Sequence, residues 1–250
     1  MIRRKHYLGF TVVTVYYEPP TTVQEIVRTK DFSAIGIFTY DSIDLPDEYV
    51  RTRSVLTIRV PTLDVEDGVF LERFRKSYRN EIKRSDSDRV KFSIVREEDT
   101  REAYDVYRQF ETLQKRSAYP FSFFKDLIVF VANSGGIPVS IVACIDARPV
   151  LKVFAIASVR HGSQIQVEQA IIGRASKRLI FNACQYAREN KYEYLDLAYI
   201  DTVKSERAGI TAYKQGFGGE TVMEYHYEYA SRILKLFRVV RGIARQYIHV

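Results

Sequence analysis

The sequence predicts an α/β protein with a mixed sheet, and three observations support this prediction. Short runs rich in β-branched and aromatic residues recur along the chain, separated by Pro, Gly and Asp, which is typical of strands and turns. Longer segments with apolar residues every three to four positions lie between these runs and predict helices. Late in the chain one such helix separates two strand-like runs, which allows the two strands to be parallel neighbours.

The segment 1–64 is predicted to be a strand-rich N-terminal subdomain. Its strands are predicted in YLGFTVVTVYY, SAIGIFTY and SVLTIRV, and a short helix is predicted in TTVQEIVRTK. The start, MIRRKHYLGF, predicts a strand rather than a signal peptide, because Thr and Tyr interrupt the apolar run that follows and no small-residue cleavage site is present.

The segment 65–90 is predicted to be a basic connecting helix. Phe70, Phe74, Tyr78 and Ile82 recur every four residues, and Arg or Lys fills much of the remainder, so the helix is amphipathic. A second basic amphipathic helix is predicted for 231–250. The simplest interpretation of each is a solvated helix face. The alternatives are a nucleotide-linked sugar, a tRNA or a polyprenyl phosphate on the first helix, and an anionic membrane surface against the second.

The segment 91–230 is predicted to be the main domain. Its strands are predicted in KFSIVRE, LIVFVAN, IPVSIVACIDA, LKVFAIASV, YEYLDLAYI and TVMEYHYEY, and its helices in EEDTREAYDVYRQFETLQKR, FSFFKD, QVEQAIIGRASKRLIFNACQYAREN and ERAGITAYKQ. Ser134-Gly135-Gly136 suits a hairpin turn. Gly216 and the pair Gly218-Gly219 are expected to end the last helix by adopting positive φ.

The composition excludes several classes of protein. A hydrophobic content of 46% argues against long disorder, and a formal charge of +7 favours anionic partners. No run of about 18 apolar residues predicts a transmembrane helix. Cys144 and Cys184 lie in apolar runs without metal-ligand spacing. We therefore expect a cytoplasmic protein with two buried free thiols, no metal site and no permanently bound cofactor.

Two stretches of the main domain resemble the GNAT acyltransferase family. ERAGITAYKQGFG resembles the last helix of that family, with Tyr213 one residue closer to Gly216 than is usual. FAIASV, followed by a helix that contains Gly173-Arg174-Ala175, resembles its pyrophosphate loop. Only the second half of that motif is matched, since Gln169 is one position away from the usual glutamine.

The finer resemblance is to the Fem-type branch, the peptidoglycan-bridge aminoacyltransferases and related acyltransferases of envelope-polysaccharide synthesis. FRKSYRNEIKRS resembles the basic helix of that branch, IIGRASKRLIFNACQYARENKYEYLDL its G-R-A helix and D-L strand, and AGITAYKQGFGGE its G-x-x-x-F-K-x-x-F-G-G signature. The match covers residues 65–230. Fem proteins carry two such domains, so the first sixty residues supply only a truncated first one.

This resemblance implies an acyltransferase that uses acyl-CoA as co-substrate. The expected reaction moves an acyl group, such as acetyl, from CoA to an amine on a nucleotide-linked sugar or an envelope-polysaccharide precursor. Two alternatives stay open. One is a Fem-type aminoacyltransferase that uses charged tRNA, and the other is a basic binding module of the same fold without catalysis. Peripheral contact with the inner membrane face is expected through 231–250.

The resemblance also implies a site for the phosphates of the donor at a helix N-terminus, where free N–H groups attract anions. Gly173 lets the backbone approach closely, and Arg174 and Lys177 add positive charge. The predicted cofactor-binding residues are Ala157, Ser158, Gly173, Arg174, Ala175 and Lys177. The alternative is that Gly173 packs the helix against the sheet and that the cations form a solvated face.

The candidate catalytic residues are Tyr213, Lys214, Asp196 and Glu206. Tyr213 is expected to donate a proton or a hydrogen bond to the leaving group, and Lys214 to stabilise negative charge on the donor. Asp196 lies where the parallel strands are expected to separate and admit substrate, so Asp196 or Glu206 takes the proton of the acceptor. The alternatives are a core tyrosine at Tyr213 and a helix cap at Glu206.

Five further residues complete the prediction. Asp201 and His161 are additional candidates for the base, with capping and simple exposure as their respective alternatives. Arg75, Arg79 and Tyr199 are expected to contact substrate.

Overall fold

The computed structural model describes residues 2–7, 10–63, 69–159, 169–202 and 208–233. The chain forms two compact units. The central unit contains the described residues of 57–221, and the terminal unit combines those of 1–56 with those from 222 onward. The strands at 50–61 and 220–230 each contribute residues to both units.

The terminal unit is a small mixed sheet with one helix. Its elements are β1 (Ile2–Tyr7), β2 (Phe10–Tyr16), α1 (Pro20–Thr29), β3 (Ala34–Thr39), the first half of β4 (Val50–Pro61) and most of β10 (Glu220–Ala230). Strands β1 and β2 form an antiparallel hairpin, and α1 connects β2 to its parallel neighbour β3. The predicted strands and the short helix are therefore present.

Strand β10 belongs mainly to the terminal unit, whereas we expected it to close the main domain. Its residues Tyr225–Ala230 pair antiparallel with β3. Alternate tyrosines of this strand pack with the core beside α1, where Tyr227 is buried and Tyr225 and Tyr229 are partly buried. This packing explains why β10 pairs with the N-terminal strands.

The central unit contains most of the predicted main domain. Its helices are α2 (Val69–Arg73), α3 (Lys76–Ser85), a 3₁₀ turn (Glu97–Thr100), α4 (Arg101–Leu113), α5 (Phe121–Phe124), α6 (Gln169–Glu189) and α7 (Ala208–Gln215). Its strands are the second half of β4, β5 (Val90–Val95), β6 (Ile128–Ser134), β7 (Ile137–Ala147), β8 (Val150–Ser158) and β9 (Tyr194–Ile200).

The strands of the central unit follow the order β4-β9-β8-β7-β6-β5. Strands β5 to β8 pair antiparallel with one another in chain order, and β9 is parallel to β8 across the α6 connection. Gly135 and Gly136 have positive φ in the β6–β7 turn, as the hairpin prediction requires. Cys144 and Cys184 are free and fully buried, which confirms that prediction, and burial raises the pKa of both thiols.

The basic connecting helix is broken into α2 and α3, whereas the sequence predicted one continuous helix. The break at Phe74–Arg75 receives the loop that follows α7: the Arg75 N–H donates to the Gly216 carbonyl at 2.8 Å. A Cβ on Gly218, where φ is +69°, would lie 2.1 Å from the Arg73 carbonyl oxygen. The loop after α7 and the break between the two helices therefore fit together.

The three glycines after α7 are needed for different reasons, and only Gly218 has the positive φ that we expected of all three. A Cβ on Gly216 would lie 2.3 Å from the Tyr78 ring, and one on Gly219 would lie 2.5 Å from the Arg59 carbonyl oxygen. At Gly216 and Gly219, close packing rather than backbone conformation excludes a side chain.

The predicted basic tail, 231–250, lies outside the described residues beyond Ile233. None of the described helices is long and apolar enough to span a membrane.

Candidate active site

Strands β8 and β9 run side by side for only three residue pairs. Val150 pairs with Tyr194, Leu151 with Leu195 and Lys152 with Asp196. Both strands continue beyond this point, but no further pairs join them among the residues that the structure describes. Ala198 in β9 has a φ of 60°, a conformation rare for a residue with a Cβ. The strands separate after Asp196, where the sequence placed the entry of the substrate.

Asp196 lies at the point of separation and is completely buried. Its Oδ1 accepts hydrogen bonds from the Thr57 hydroxyl and from the Ala198 N–H, the latter at 2.6 Å. Its Oδ2 lies 3.8 Å from Lys152 Nζ. The predicted role of Asp196 as a base is not supported by this environment, because the carboxylate is covered and already accepts two hydrogen bonds.

Lys214 reaches the same region from the last turn of α7. Its Nζ donates to the Tyr199 carbonyl at 2.9 Å, and the side chain is half-buried. Burial lowers the pKa of Lys214 to about 8; Asp196 opposes this shift and Lys152 adds to it. At neutral pH Lys214 is therefore mostly a partly desolvated cation, which interacts strongly with negative charge that develops nearby.

Tyr213, the neighbour of Lys214, packs between two other rings. Its ring centroid lies 5.9 Å from that of Tyr78 and 5.3 Å from that of Phe217. Its hydroxyl oxygen is covered and has no hydrogen-bond partner among the described residues, and burial raises the pKa of the phenol. The structure therefore favours the core tyrosine over the predicted proton donor.

The predicted phosphate-binding cations on α6 form ion pairs with carboxylates in and just after α3. Arg174 forms two hydrogen bonds to Asp88, at 2.6 and 2.8 Å, and Lys177 forms an ion pair with Glu81 at 2.6 Å. These contacts tie α6 to α3, so phosphate binding by Arg174 and Lys177 would require them to leave their partners. Their predicted role has no support in the described contacts.

Gly173 lies on the more accessible part of α6. A Cβ added there would meet no described atom within 4 Å, so Gly173 is not a packing glycine within the described part of the chain. Ala175 is buried at 1% exposure and belongs to the core. Ala157 and Ser158 end β8, and Val159 separates them from the segment 160–168, which lies outside the described residues.

The ion pairs between α6 and α3 leave positive charge on the outer surface of α3. Glu81, Asp86 and Asp88 are paired with Lys177, Arg178 and Arg174 respectively. Besides Arg75, five exposed cations around α3 have no ion pair with any other described residue. We call these five residues the basic surface: Arg73, Lys76, Lys83, Arg84 and Arg89.

The predicted substrate residues lie near these features. Arg75 is exposed at the start of α3, with its guanidinium 5.8 Å from the Tyr78 ring centroid, and Arg79 donates to the Glu72 carbonyl at 3.3 Å. Tyr199 contributes its carbonyl to Lys214. Their contact with substrate stays a prediction.

The other candidate bases are not placed in the site by the structure. Glu206 and His161 lie outside the described residues. The backbone N–H and carbonyl of Asp201 bond to the Thr211 hydroxyl at 3.3 and 2.9 Å. This pair joins β9 to α7 and fits a structural role.

Thr57 and Lys152 are site residues that sequence reasoning missed. Lys152 is the single charged residue in LKVFAIASV, and Thr57 is a polar residue in SVLTIRV. A polar side chain between apolar neighbours in a strand was the available signal. Only the register that pairs Lys152 with Asp196 shows that the two side chains share a face of the sheet.

No family model matches the sequence, and no curated protein matches it. Solved structures do match the fold. FemX aligns with a TM-score of 0.63 at 13% identity, over 95% of this chain and 85% of that chain. L-PGS from Bacillus licheniformis aligns with a TM-score of 0.52 at 12% identity, over 98% and 86%.

A third structure is the C-terminal domain of a protein from Agrobacterium fabrum described as a lysylphosphatidylglycerol synthetase. It aligns with a TM-score of 0.53 at 14% identity, over 91% of this chain and 80% of that chain. These three likenesses confirm the fold that was predicted from the sequence.

Proposed function

From the Fem-type GNAT fold that this chain shares with FemX, we propose that the protein is an acyltransferase that moves an acyl group from an activated carrier to an amine. The observation that carries the proposal is the position of Lys214 at the separation of β8 and β9, close to Asp196 and Lys152. A cation in a partly desolvated opening of a sheet suits a reaction in which negative charge develops on an oxygen.

The proposed reaction forms one bond and breaks one. The amine nitrogen attacks the carbonyl carbon of the donor, the carbonyl oxygen gains negative charge, and the bond to the carrier oxygen or sulfur then breaks as the amide forms. Lys214 stabilises the charge on the carbonyl oxygen. The nitrogen loses one proton and the leaving group gains one. The acceptor class that we propose is an amine on a nucleotide-linked sugar or an envelope-polysaccharide precursor.

For the carrier, the described residues favour aminoacyl-tRNA over CoA. Arg174 and Lys177, which were expected to hold the CoA phosphates, are paired with carboxylates of the α3 region. The basic surface beside them offers five exposed cations to a longer polyanion. Neutralising several phosphates releases counterions, and this release drives the binding of nucleic acid.

A binding experiment separates the two carriers. We expect charged tRNA to bind the protein in a filter assay and acetyl-CoA to leave its melting temperature unchanged, since a ligand that binds the native state raises that temperature. A rise with acetyl-CoA that Gly173→Asp abolishes would instead identify CoA as the carrier. Gly173→Ala is the matched control, because its Cβ meets no described atom within 4 Å.

Charge reversal tests the basic surface. We expect the double variant Lys83→Glu/Arg84→Glu to weaken tRNA binding at least about tenfold and to make the salt dependence of log Kd shallower by about one to two. Both residues are exposed at the end of α3, so the fold should be unaffected. The control, Lys5→Glu/Arg28→Glu, has the same change in charge on exposed positions of the terminal unit. Equal weakening by both variants would show a nonspecific effect of net charge.

A further inference from the structure

The left-handed residue Ala198 lies where β8 and β9 have separated. It comes two residues after Asp196, the last residue of β9 that pairs with β8. A φ of 60° departs from the extended backbone of a regular strand, although β9 continues to Ile200. The backbone of β9 therefore makes a local turn within the strand at Ala198, directly before Tyr199, whose carbonyl accepts the hydrogen bond of Lys214.

Asp196 holds this turn in place. Its Oδ1 accepts a hydrogen bond from the Ala198 N–H at 2.6 Å, and a side-chain oxygen that bonds a backbone N–H two residues later stabilises a local turn. The carboxylate is itself fixed, because Thr57 donates its hydroxyl to the same oxygen and Lys152 lies 3.8 Å from the other oxygen.

We propose that Asp196 is a positioning residue that holds the turn at Ala198, keeps β8 and β9 apart, and presents the Tyr199 carbonyl to Lys214. This inference rests on the proposed function only for its effect on rate. The geometry, with Lys214 anchored by a carbonyl on the turned strand, exists with or without a substrate.

The proposal has an electrostatic consequence for Lys214. Two charged groups face it from the sheet: Asp196 on β9, which favours the charged ammonium, and Lys152 on β8, which disfavours it. Removing the charge of Asp196 should therefore lower the proton affinity of Lys214, and removing the charge of Lys152 should raise it. Asparagine at position 196 is neutral but keeps an oxygen acceptor for the Ala198 N–H, so Asp196→Asn tests the charge while the turn is retained.

The experiment measures the reactivity of Lys214 without substrate. Competitive acetylation by trace acetic anhydride, followed by mass spectrometry of the Lys214 peptide, gives its titration curve. We expect Asp196→Asn to move the curve to lower pH by about one unit and Lys152→Met to move it to higher pH. The melting temperature of each variant shows whether it is folded.

Rescue by glycine tests the turn itself. We expect Asp196→Ala to lower the transfer rate about ten- to a hundredfold, as a misplaced group does. Adding Ala198→Gly should recover part of this loss, because glycine adopts positive φ without a Cβ. Ala198→Gly alone should leave the rate within about twofold of the wild type, since the hydrogen bond of Asp196 remains.

Two results would overturn the proposal. One is a folded Asp196→Ala variant whose Lys214 titration curve equals that of Asp196→Asn, because loss of the acceptor oxygen would then leave Lys214 where it is. The other is a double variant no faster than Asp196→Ala although its melting temperature is restored. If no variant, including the wild type, transfers an acyl group, the proposed function fails while the labelling experiment still decides the role of Asp196.

Discussion

Lys214→Met is expected to lower kcat for acyl transfer by about a hundred- to a thousandfold, the range found when a group that stabilises an oxyanion is removed. Methionine keeps the unbranched apolar stem but not the charge, so the position of α7 should be retained. In the wild type the rate should fall as pH rises through about 8, because Lys214 then loses the proton that makes it a cation. Steady-state rates from pH 6 to about 9.5 measure both effects.

The control for this prediction is Gln215→Met, which changes the exposed neighbour of Lys214 on the same helix. It should have the rate and pH dependence of the wild type. Lys214→Arg keeps a cation and should retain more activity than methionine. Full activity of Lys214→Met at neutral pH would remove Lys214 from the mechanism.

Phe217→Ala is expected to destabilise the protein by about 3–5 kcal/mol, the typical cost of removing a buried phenylalanine. Phe217 has 0% exposure and its ring contacts Phe74, Tyr78 and Tyr213. These contacts join α7 to the α2–α3 break, and the cavity cannot close without moving both. Urea denaturation of the wild type and the variant measures the difference in the free energy of unfolding.

Tyr213→Phe provides the comparison for that result. It removes only a hydroxyl that has no hydrogen-bond partner among the described residues, so we expect stability equal to or slightly above that of the wild type. We expect the transfer rate to be unchanged, because the hydroxyl of Tyr213 is covered and its ring packs against Tyr78 and Phe217. A tenfold loss of rate with unchanged stability would restore Tyr213 as the proton donor.

Much of the fold could be predicted from the sequence because its elements have strong local patterns. The runs rich in β-branched and apolar residues in β6 to β8 and the length of α6 led to the correct elements. The partner of β10 could not be predicted this way, because the tyrosines of TVMEYHYEY suit either unit. Their packing beside α1 decides the pairing, and that packing depends on contacts distant in sequence.

The candidate site was only partly predictable for a related reason. The resemblance pointed to both Tyr213 and Lys214, and adjacent residues of a helix point about 100° apart. The contact of Tyr78 with the first and of Tyr199 with the second distinguishes them. The ion pairs of Arg174 and Lys177 depend on the docking of α3 against α6, which no motif in the sequence describes.

The alternative of a binding module without catalysis makes one different prediction. Such a protein would bind tRNA through the basic surface but would show no dependence of any reaction on Lys214. The basic surface and Lys214 are therefore tested separately, the first by affinity and the second by turnover.

The most direct test of the central claim follows the acyl group itself. Wild type and Lys214→Met are incubated with [¹⁴C]aminoacyl-tRNA, or with [¹⁴C]acetyl-CoA, and an extract of bacterial envelope precursors. Mild alkali then hydrolyses the ester or thioester donors but not an amide. We predict alkali-stable label with the wild type and tRNA, and little with Lys214→Met. No alkali-stable label from either donor with the wild type, or equal label with both proteins, would contradict acyl transfer through Lys214.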